Sequence, residues 1–299
     1  HPTHYLYAEQ GGEIVGVLPL GQIKSRLFGN ALISTPFCVY GGALAASPEV
    51  RAALEQAACD LAHKLQVDWL ELRNLLPSGA GRPTKELYVT FRKALAPDPE
   101  ANFKAIPRKQ RAMVRKGMEA GLVSVIEDGI DRFYEVYAES VRNLGTPVFP
   151  KRYFQILKQT FGEACDILVV EHQGQPVAGV MSFYFRDEVL PYYGGGTAAA
   201  RELHANDFMY WEVMRRAVAK GVKWFDYGRS KQGSGSFRFK THWGFTPSPL
   251  HYEYELVKAK KPPEVNPLNP KYRLFIKAWR RLPLPVAKLI GPWLARSLG

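Results

Sequence analysis

The order strand, helix, strand occurs twice along this chain. In the first half, strand patterns precede a helical pattern and a further strand, at residues 4–9, 14–20, 31–35, 48–65 and 69–73. The second half repeats the order, at residues 166–172, 176–186, 188–194, 206–220 and 223–227. This repetition predicts two copies of one α/β unit, each with a mostly antiparallel sheet.

The boundaries of the two copies are predicted from changes in composition. A proline-containing join at residues 96–99 separates the halves, and a proline-rich basic segment begins near residue 258. We therefore expect a first domain over 1–98, a second over 99–258 and a tail over 259–299. Because the chain begins inside a strand pattern, we expect the first domain to lack its N-terminal elements. Between the repeats, the pattern predicts a basic helix over 102–119, a strand over 122–126 and helices over 131–143 and 150–160.

Charge and motif content narrow the function classes. Forty Lys and Arg residues against twenty-eight Asp and Glu give a formal charge of +12, which attracts nucleic acid, phosphorylated sugars or acidic lipid headgroups. The sequence contains no G-x-x-x-x-G-K-S/T, no G-x-G-x-x-G after a strand, no H-E-x-x-H and no G-x-S-x-G motif. The common nucleotide, zinc and serine-hydrolase sites are therefore not expected. The three cysteines have no disulfide or C-x-x-C spacing, which favours a cytoplasmic protein.

A basic segment at residues 104–116 is the first candidate site. If it is one helix, Lys104, Arg108, Arg111 and Arg115 lie at offsets 0, 4, 7 and 11 and form one stripe. Guanidinium groups offer bidentate hydrogen bonds to phosphate, so we expect the three arginines to bind an anionic substrate. The alternative is a solvated helix face.

A glycine-rich segment at residues 191–197, running on to a helix at 205–211, is the second candidate. Three consecutive glycines let a substrate approach the backbone, and free N–H groups at the helix start favour negative charge. Tyr193, Gly195 and Asn206 are the substrate-binding candidates here. The alternative is a flexible connection without a ligand.

The third candidate follows the strand at 223–227. Reactive side chains in α/β proteins commonly lie just beyond a strand, and this position holds Asp226, Tyr227, Arg229 and Ser230. Further on, Arg238 and Lys240 alternate with Phe237 and Phe239. The alternative assigns the aromatic residues to the core and the charges to the surface.

With these segments the sequence resembles the Fem family of non-ribosomal peptidyl and acyl transferases, specifically FemAB-like proteins associated with exosortase/PEP-CTERM exopolysaccharide systems. The resemblance covers nearly the whole chain and is carried by Gly16-Val-Leu-Pro-Leu20, Pro36-Phe-Cys-Val-Tyr-Gly-Gly42, Arg108-Lys-Gln-Arg-Ala-Met-Val-Arg-Lys-Gly117, Asn143-Leu-Gly-Thr-Pro147, Phe225-Asp-Tyr-Gly-Arg-Ser230 and Phe239-Lys-Thr-His-Trp-Gly-Phe245. It implies two tandem GNAT-like domains of α/β (α+β) class and transfer of an acyl group to an amine.

The resemblance also implies a role for Lys240, and general acid–base chemistry suggests one for Asp226 if its carboxylate lies within hydrogen-bond reach of the amine. Lys240 matches a Phe-Lys motif before a Gly-Phe near the end of the second domain, where an ammonium would stabilise the developing oxyanion. Asp226 would orient or deprotonate the amine nucleophile. No bound cofactor is implied, and the acyl donor stays open between aminoacyl-tRNA and acyl-CoA. Residues 100–165 contain no extended charged hairpin arm for tRNA, and the segment at 193–197 lacks the Arg/Gln-x-x-Gly-x-Gly pattern for CoA.

The expected partner is an anionic, phosphate-bearing glycan or lipid-linked precursor, with tRNA as one candidate donor. A different reading is a non-catalytic glycan- or membrane-binding component of an exopolysaccharide or protein-sorting system, and nucleic-acid binding ranks last. The tail predicts two short basic helices in residues 271–299, which either dock on the parent domain or contact an anionic membrane. The latter would place the protein peripherally at the inner face of the cytoplasmic membrane.

Overall fold

A computed structural model describes residues 1–25, 29–263 and 270–297. Its strands are β1 (Thr3–Gln10), β2 (Glu13–Ser25), β3 (Gly29–Ser34), β4 (Leu44–Ala45), β5 (Trp69–Asn74), β6 (Thr84–Lys85), β7 (Tyr88–Ala94), β8 (Val123–Glu127), β9 (Cys165–His172), β10 (Gln175–Phe185), β11 (Glu188–Gly196), β12 (Trp224–Asp226), β13 (Ser230–Lys231), β14 (Pro247–Pro249) and β15 (His251–Leu256). Its α-helices are α1 (Pro48–Lys64), α2 (Pro99–Ala105), α3 (Arg108–Glu119), α4 (Asp131–Leu144), α5 (Lys151–Phe161), α6 (Ala205–Ala219), α7 (Gly235–His242), α8 (Pro270–Trp279) and α9 (Leu284–Ala295).

The described chain forms two compact units. The first unit comprises residues 1–25, 29–90, 248–263 and 296–297, and the second comprises 91–247 and 270–295. The first sheet has the order β1-β2-β3-β5-β15-β6, with β4 beside β2. The second has the order β13-β7-β12-β11-β10-β9-β8, with β14 beside β7.

Each sheet contains a parallel pair among mostly antiparallel neighbours. In the first sheet β3 pairs in parallel with β5, and α1 connects them. In the second sheet β11 pairs in parallel with β12, and α6 connects them. Parallel neighbours need a crossover connection, which explains why the helix recurs at the same place in both repeats. The predicted fold, two tandem α/β domains with mixed and mostly antiparallel sheets plus a helical C-terminal region, is confirmed.

The two halves of the sequence exchange their last strands. Strand β7 follows the first half but pairs with β12 in the second sheet, with Phe225 opposite Lys93. Strand β15 follows the second half but pairs with β5 in the first sheet, with Tyr252 opposite Arg73. The units therefore divide the chain near residues 90 and 248, whereas composition placed the divisions at 98 and 258.

The basic segment at 102–119 is two helices, not the single helix that was predicted. Helix α2 ends at Ala105, and Ile106 is extended, with ψ of 131°. Pro107 disfavours the helical conformation of the residue before it and lacks an N–H, so a new helix starts at Arg108. Lys104 is consequently separated from the arginine stripe, which continues on α3 alone.

The tail docks on the second unit through its second helix. Ala287, Gly291 and Ala295 form a buried stripe of small residues on α9. Gly291 lies so close to residue 148 that an added Cβ would be 3.0 Å from the Val148 backbone nitrogen. Lys288 forms an ion pair with Glu135 on α4, at 2.5 Å. No described helix has both the length and the apolar character needed to cross a membrane.

Candidate functional site

The parallel pair in the second sheet opens after two residue pairs. Glu188 lies opposite Trp224 and Val189 opposite Phe225, and no further pairing of β11 with β12 occurs among the described residues. Strand β11 nevertheless continues to Gly196 along its other neighbour, β10. The sheet therefore contains a cleft between β11 and β12 at the carboxyl ends of two parallel strands, the edge where α/β proteins commonly bind ligands.

A β-bulge lies on the wall of this cleft. Met181 pairs with Tyr193 and Ser182 pairs with Pro191, so Tyr192 is an additional residue in β11. A bulge bends the strand and turns its backbone groups away from the regular ladder. The bulge is therefore well placed to direct backbone groups of β11 into the opening.

The opposite wall is the loop that follows β12. Asp226, at the end of the strand, is 1% exposed, and its Oδ1 accepts a 2.7 Å hydrogen bond from the Gly228 backbone N–H. Gly228 has φ of +69°, a conformation that favours glycine. The Tyr227 backbone N–H donates to the Phe91 carbonyl oxygen at 2.7 Å, which ties the loop to β7. These bonds fix the loop in one conformation.

Helix α7 delivers Lys240 to this loop. The helix begins after Ser234, whose side chain accepts a hydrogen bond from the Phe237 backbone N–H at 3.2 Å. Lys240 is the buried residue of the helix, and its Nζ donates to the carbonyl oxygens of Gly228 and Arg229, at 2.9 and 3.0 Å. An ammonium has three protons, and these bonds use two of them. The third is available for an acceptor supplied by a ligand.

The environment of Lys240 lowers the pKa of its side chain. Burial lowers the pKa of this lysine to about 7, while the Asp226 carboxylate raises the pKa and the Arg229 guanidinium lowers it further. Both the charged and the neutral form of the side chain are consequently populated near neutral pH. A lysine with such a pKa is typical of functional sites.

Two buried hydroxyls, at the start of this loop and just after it, lack hydrogen-bond partners among the described residues. Tyr227 is 3% exposed and Ser230 is 4% exposed, yet neither hydroxyl has a partner in the described part of the chain. The Lys240 Nζ lies 5.6 Å from the centre of the Tyr227 ring. Because an unpaired buried hydroxyl is costly, these groups are the natural contacts for polar atoms of a substrate.

Tyr210 connects the two walls of the cleft. Its ring centre is 4.7 Å from that of Tyr227, and a Cβ added at Gly194 of β11 would lie 2.8 Å from its hydroxyl oxygen. Burial raises the pKa of Tyr210 to about 12, so the phenol stays protonated at neutral pH. Sequence reasoning missed this residue, since no motif separates it from the other aromatic residues of its helix.

The structure brings together the predicted residues of the third candidate segment. Asp226 ends β12, Ser230 begins β13, and Tyr227 and Arg229 lie in the loop between them, on which Lys240 rests. Arg238 does not join this group. Its side chain is exposed, and its Nη1 donates a hydrogen bond to the Gly233 carbonyl oxygen at 2.9 Å.

The glycine-rich segment has a packing role at two of its predicted positions. Tyr193 lies in an aromatic core cluster, and its hydroxyl is 2.8 Å from that of Tyr153. Gly195 faces α4, where an added Cβ would be 2.4 Å from the Ser140 hydroxyl oxygen. Asn206 is half-buried in the first turn of α6, with its Oδ1 beside Gly196.

The arginine stripe lies on a helix that a buried carboxylate ties to α6. Asp207 on α6 accepts hydrogen bonds through Oδ1 from Gln110 of α3, at 2.5 Å, and from the Trp243 indole, at 2.9 Å. Burial raises the pKa of Asp207. Asp207 therefore fixes both α3 and the end of α7, a role that its position in the sequence did not reveal.

The three arginines of α3 differ in their surroundings. Arg108 is exposed. Arg111 is half-buried and donates through Nη1 to the Lys104 carbonyl oxygen at 2.8 Å. The Arg115 guanidinium lies 5.4 Å from the centre of the Phe103 ring. Arg108 and Arg115 are thus the members of the stripe that face solvent.

Comparisons with known proteins place this geometry in a recognised fold. Residues 103–241, which include the arginine stripe, both strands of the cleft and Lys240, match the family model described as an acetyltransferase (GNAT) domain. No curated protein sequence matches the chain.

Solved structures resemble the chain over most of its length. The crystal structure of FemX has a TM-score of 0.64 at 12% identity, covering 92% of this chain and 90% of that one. The C-terminal domain of a putative lysylphosphatidylglycerol synthetase from Agrobacterium fabrum has a TM-score of 0.60 at 15% identity, covering 84% of each chain. A tandem GNAT protein from the clavulanic acid biosynthesis pathway has a TM-score of 0.56 at 14% identity, covering 87% and 84%. The chain therefore has a Fem-like fold of two tandem GNAT-like units.

Proposed function

From a GNAT domain carried on a Fem-like fold, we propose that this protein is a cytoplasmic N-acyltransferase of the Fem type. It moves an acyl or aminoacyl group onto an amine of an anionic envelope, peptidoglycan-like or exopolysaccharide precursor. The observation that carries the proposal is Lys240, a buried cation held by two backbone carbonyl oxygens beside the cleft between β11 and β12.

The donor enters along β11 in this proposal. Beyond Val189 this strand has no strand partner on the side of β12 among the described residues, so an extended ligand can lie against its edge. Backbone groups at such an edge bind extended chains in the manner of an added strand. The edge suits both donor classes, aminoacyl-tRNA and acyl-CoA, because each presents an acyl group at the end of a long arm.

The chemical step is an acyl substitution. The lone pair of the acceptor amine attacks the acyl carbonyl carbon, a C–N bond forms, and the carbonyl oxygen becomes an oxyanion. Collapse of this intermediate breaks the C–O bond of an ester donor or the C–S bond of a thioester donor. The amine loses one proton and the leaving group gains one, so protons balance.

Lys240 stabilises the oxyanion through its third ammonium proton. A fixed cation in a water-poor site stabilises developing charge strongly, because it needs no reorganisation during the reaction. The unpartnered hydroxyls of Tyr227 and Ser230 bind polar atoms of the reacting groups. Asp226, already bonded to the Gly228 N–H, holds the loop and orients the amine.

The arginines of α3 bind the anionic part of the acceptor. Arg108 and Arg115 are exposed cations on one helix, and the net charge of +12 favours anionic substrates in general. One structural neighbour is named as a putative lysylphosphatidylglycerol synthetase, and the phosphatidylglycerol part of that name is a phosphate-bearing lipid, which supports an anionic acceptor. The association with PEP-CTERM exopolysaccharide systems rests on the sequence resemblance.

The test is mass spectrometry of amine-bearing anionic acceptors after incubation with aminoacyl-tRNA or acyl-CoA, offered separately. Lys240→Met removes the cation and keeps the length of the side chain, and Lys223→Met, at an exposed lysine, is the control. We expect a mass gain with one donor class that the control variant retains and Lys240→Met loses.

Two results contradict the proposal. One is transfer that persists at the wild-type rate in a folded Lys240→Met protein. The other is no transfer with any donor, together with binding of anionic glycan that is lost on reversing Arg108, Arg111 and Arg115. The second result identifies a non-catalytic binding component instead.

A further inference from the structure

The outward face of α9 is an apolar stripe in contact with water. Val286, Leu289, Ile290 and Trp293 follow the spacing i, i+3, i+4, i+7, which places them on one face of the helix. Leu289 is 78% exposed and Trp293 is 66% exposed. The opposite face of the helix is already docked through its small residues, so packing within the second unit does not explain the stripe.

Helix α8 extends this surface. Leu274 is 77% exposed and Phe275 is 42% exposed, while Trp279, whose ring stacks on that of Phe275, is buried. The two helices together expose six large apolar side chains within twenty residues. A monomeric soluble protein rarely leaves such a set unpaired unless it marks an interaction surface.

Cations surround the apolar residues. Residues 265–299 contain no Asp or Glu. The exposed basic side chains of the described tail are Arg273, Lys277, Arg280, Arg281 and Arg296. Lys288 is the one cation of these helices that the structure pairs with an acid within the described residues. The surface is therefore both apolar and strongly positive.

We propose that the outward face of α8 and α9 binds the surface of an anionic lipid bilayer. Amphipathic helices with basic flanks and a tryptophan lie in the headgroup region with their apolar residues inserted, and each nearby cation strengthens the attraction to acidic lipids. A protein partner would need matching acidic and apolar patches, whereas an anionic membrane offers both over any area. This binding surface is independent of the acyl-transfer chemistry.

Because the tail is already folded and docked, its outward face is preorganised for binding. Both helices are already formed, and Gly291 and Ala287 hold α9 against the second unit. Binding therefore costs little conformational entropy, because no segment has to fold on the membrane.

The experiment is co-sedimentation of the full chain with vesicles of phosphatidylcholine alone or mixed with phosphatidylglycerol. We expect binding only to the mixed vesicles, and Leu289→Ser with Trp293→Ser to weaken it by about tenfold or more. The matched control replaces Leu76 and Phe185, which are 69% and 74% exposed but lie outside the tail, with serine. The control should bind as the wild type does.

A second pair of variants tests the charge. Lys277→Gln with Arg281→Gln leaves every apolar residue in place and should weaken binding to the mixed vesicles about fivefold or more. Thermal melting followed by circular dichroism shows whether the serine variant is folded. If it is not, the glutamine pair tests the lipid-binding proposal instead.

Three outcomes overturn the inference. In the first, the wild type fails to bind the mixed vesicles or binds both vesicle types equally. In the second, both tail variants bind the mixed vesicles as well as the control does. In the third, sedimentation velocity shows a dimer that the serine variant abolishes without a change in lipid binding, which assigns the surface to a second copy of the chain.

Discussion

Replacement of Lys240 by methionine should change how the stability of the protein depends on pH. Burial lowers the pKa of this lysine from its ordinary 10.5 to about 7. Between these values the unfolded chain binds more protons than the folded chain, so the lysine makes the free energy of unfolding rise with pH. Methionine does not titrate, and the variant should lack this contribution.

The expected size follows from the two pKa values. From pH 7 to pH 9.5 the titration of Lys240 adds about 3 kcal/mol to the free energy of unfolding of the wild type. The methionine leaves the Gly228 and Arg229 carbonyl oxygens without the lysine hydrogen bonds, which costs about 1–3 kcal/mol at every pH. The difference in unfolding free energy between the two proteins should therefore shift in favour of the wild type by about 3 kcal/mol between pH 7 and pH 9.5, whatever the constant cost of the lost hydrogen bonds.

Urea unfolding of both proteins at a series of pH values measures the difference. The matched control is Lys223→Met, whose side chain is 74% exposed and should give a difference that stays flat with pH. The reasoning is refuted if the Lys240→Met difference is equally flat. If the ammonium is the form that acts, acyl transfer by the wild type should fall as pH rises through about 7.

Three further predictions concern the cleft and the arginine stripe. Tyr227→Phe removes a buried hydroxyl without a partner, so the unfolding free energy should stay equal or rise by about 1 kcal/mol while transfer falls, as urea unfolding and mass spectrometry would measure. Gly195→Ala places a Cβ 2.4 Å from the Ser140 hydroxyl and should cost about 1–3 kcal/mol by the same unfolding assay, with Gly129→Ala, which meets nothing within 4 Å, as the control. Arg108→Glu should raise the KM for an anionic acceptor about tenfold with kcat nearly unchanged. If the variant and the wild type have the same KM at low salt, the binding role of Arg108 is contradicted.

The repeat was predictable because hydrophobic periodicity is local. The predicted helix over 48–65 and strand over 69–73 agree with α1 and β5 to within one residue. The exchange of β7 and β15 was not predictable, since the partner of a strand is decided by pairing between distant segments. The break at Pro107 has a clear local signal, but the basic pattern on either side of it suggested one helix.

For the candidate site, sequence reasoning identified the residues after β12 and the lysine of α7. Asp226, Tyr227, Ser230 and Lys240 meet because the polar segment beyond the strand folds as a loop and a short helix. The packing role of Tyr193 and the anchoring role of Asp207 were not visible, because both depend on contacts between helices and strands far apart in sequence. Burial, not residue type, distinguishes these residues.

The exchange of strands determines which fragments of this protein can exist alone. A fragment ending at residue 98 would keep β7 without β12 and would leave β5 without β15, so its sheet would have an unpaired edge. The complementary fragment would have the same defect at β12. The second half of the chain is in effect inserted before the final strand of the first, so the gene cannot be divided at its internal repeat into two self-sufficient products.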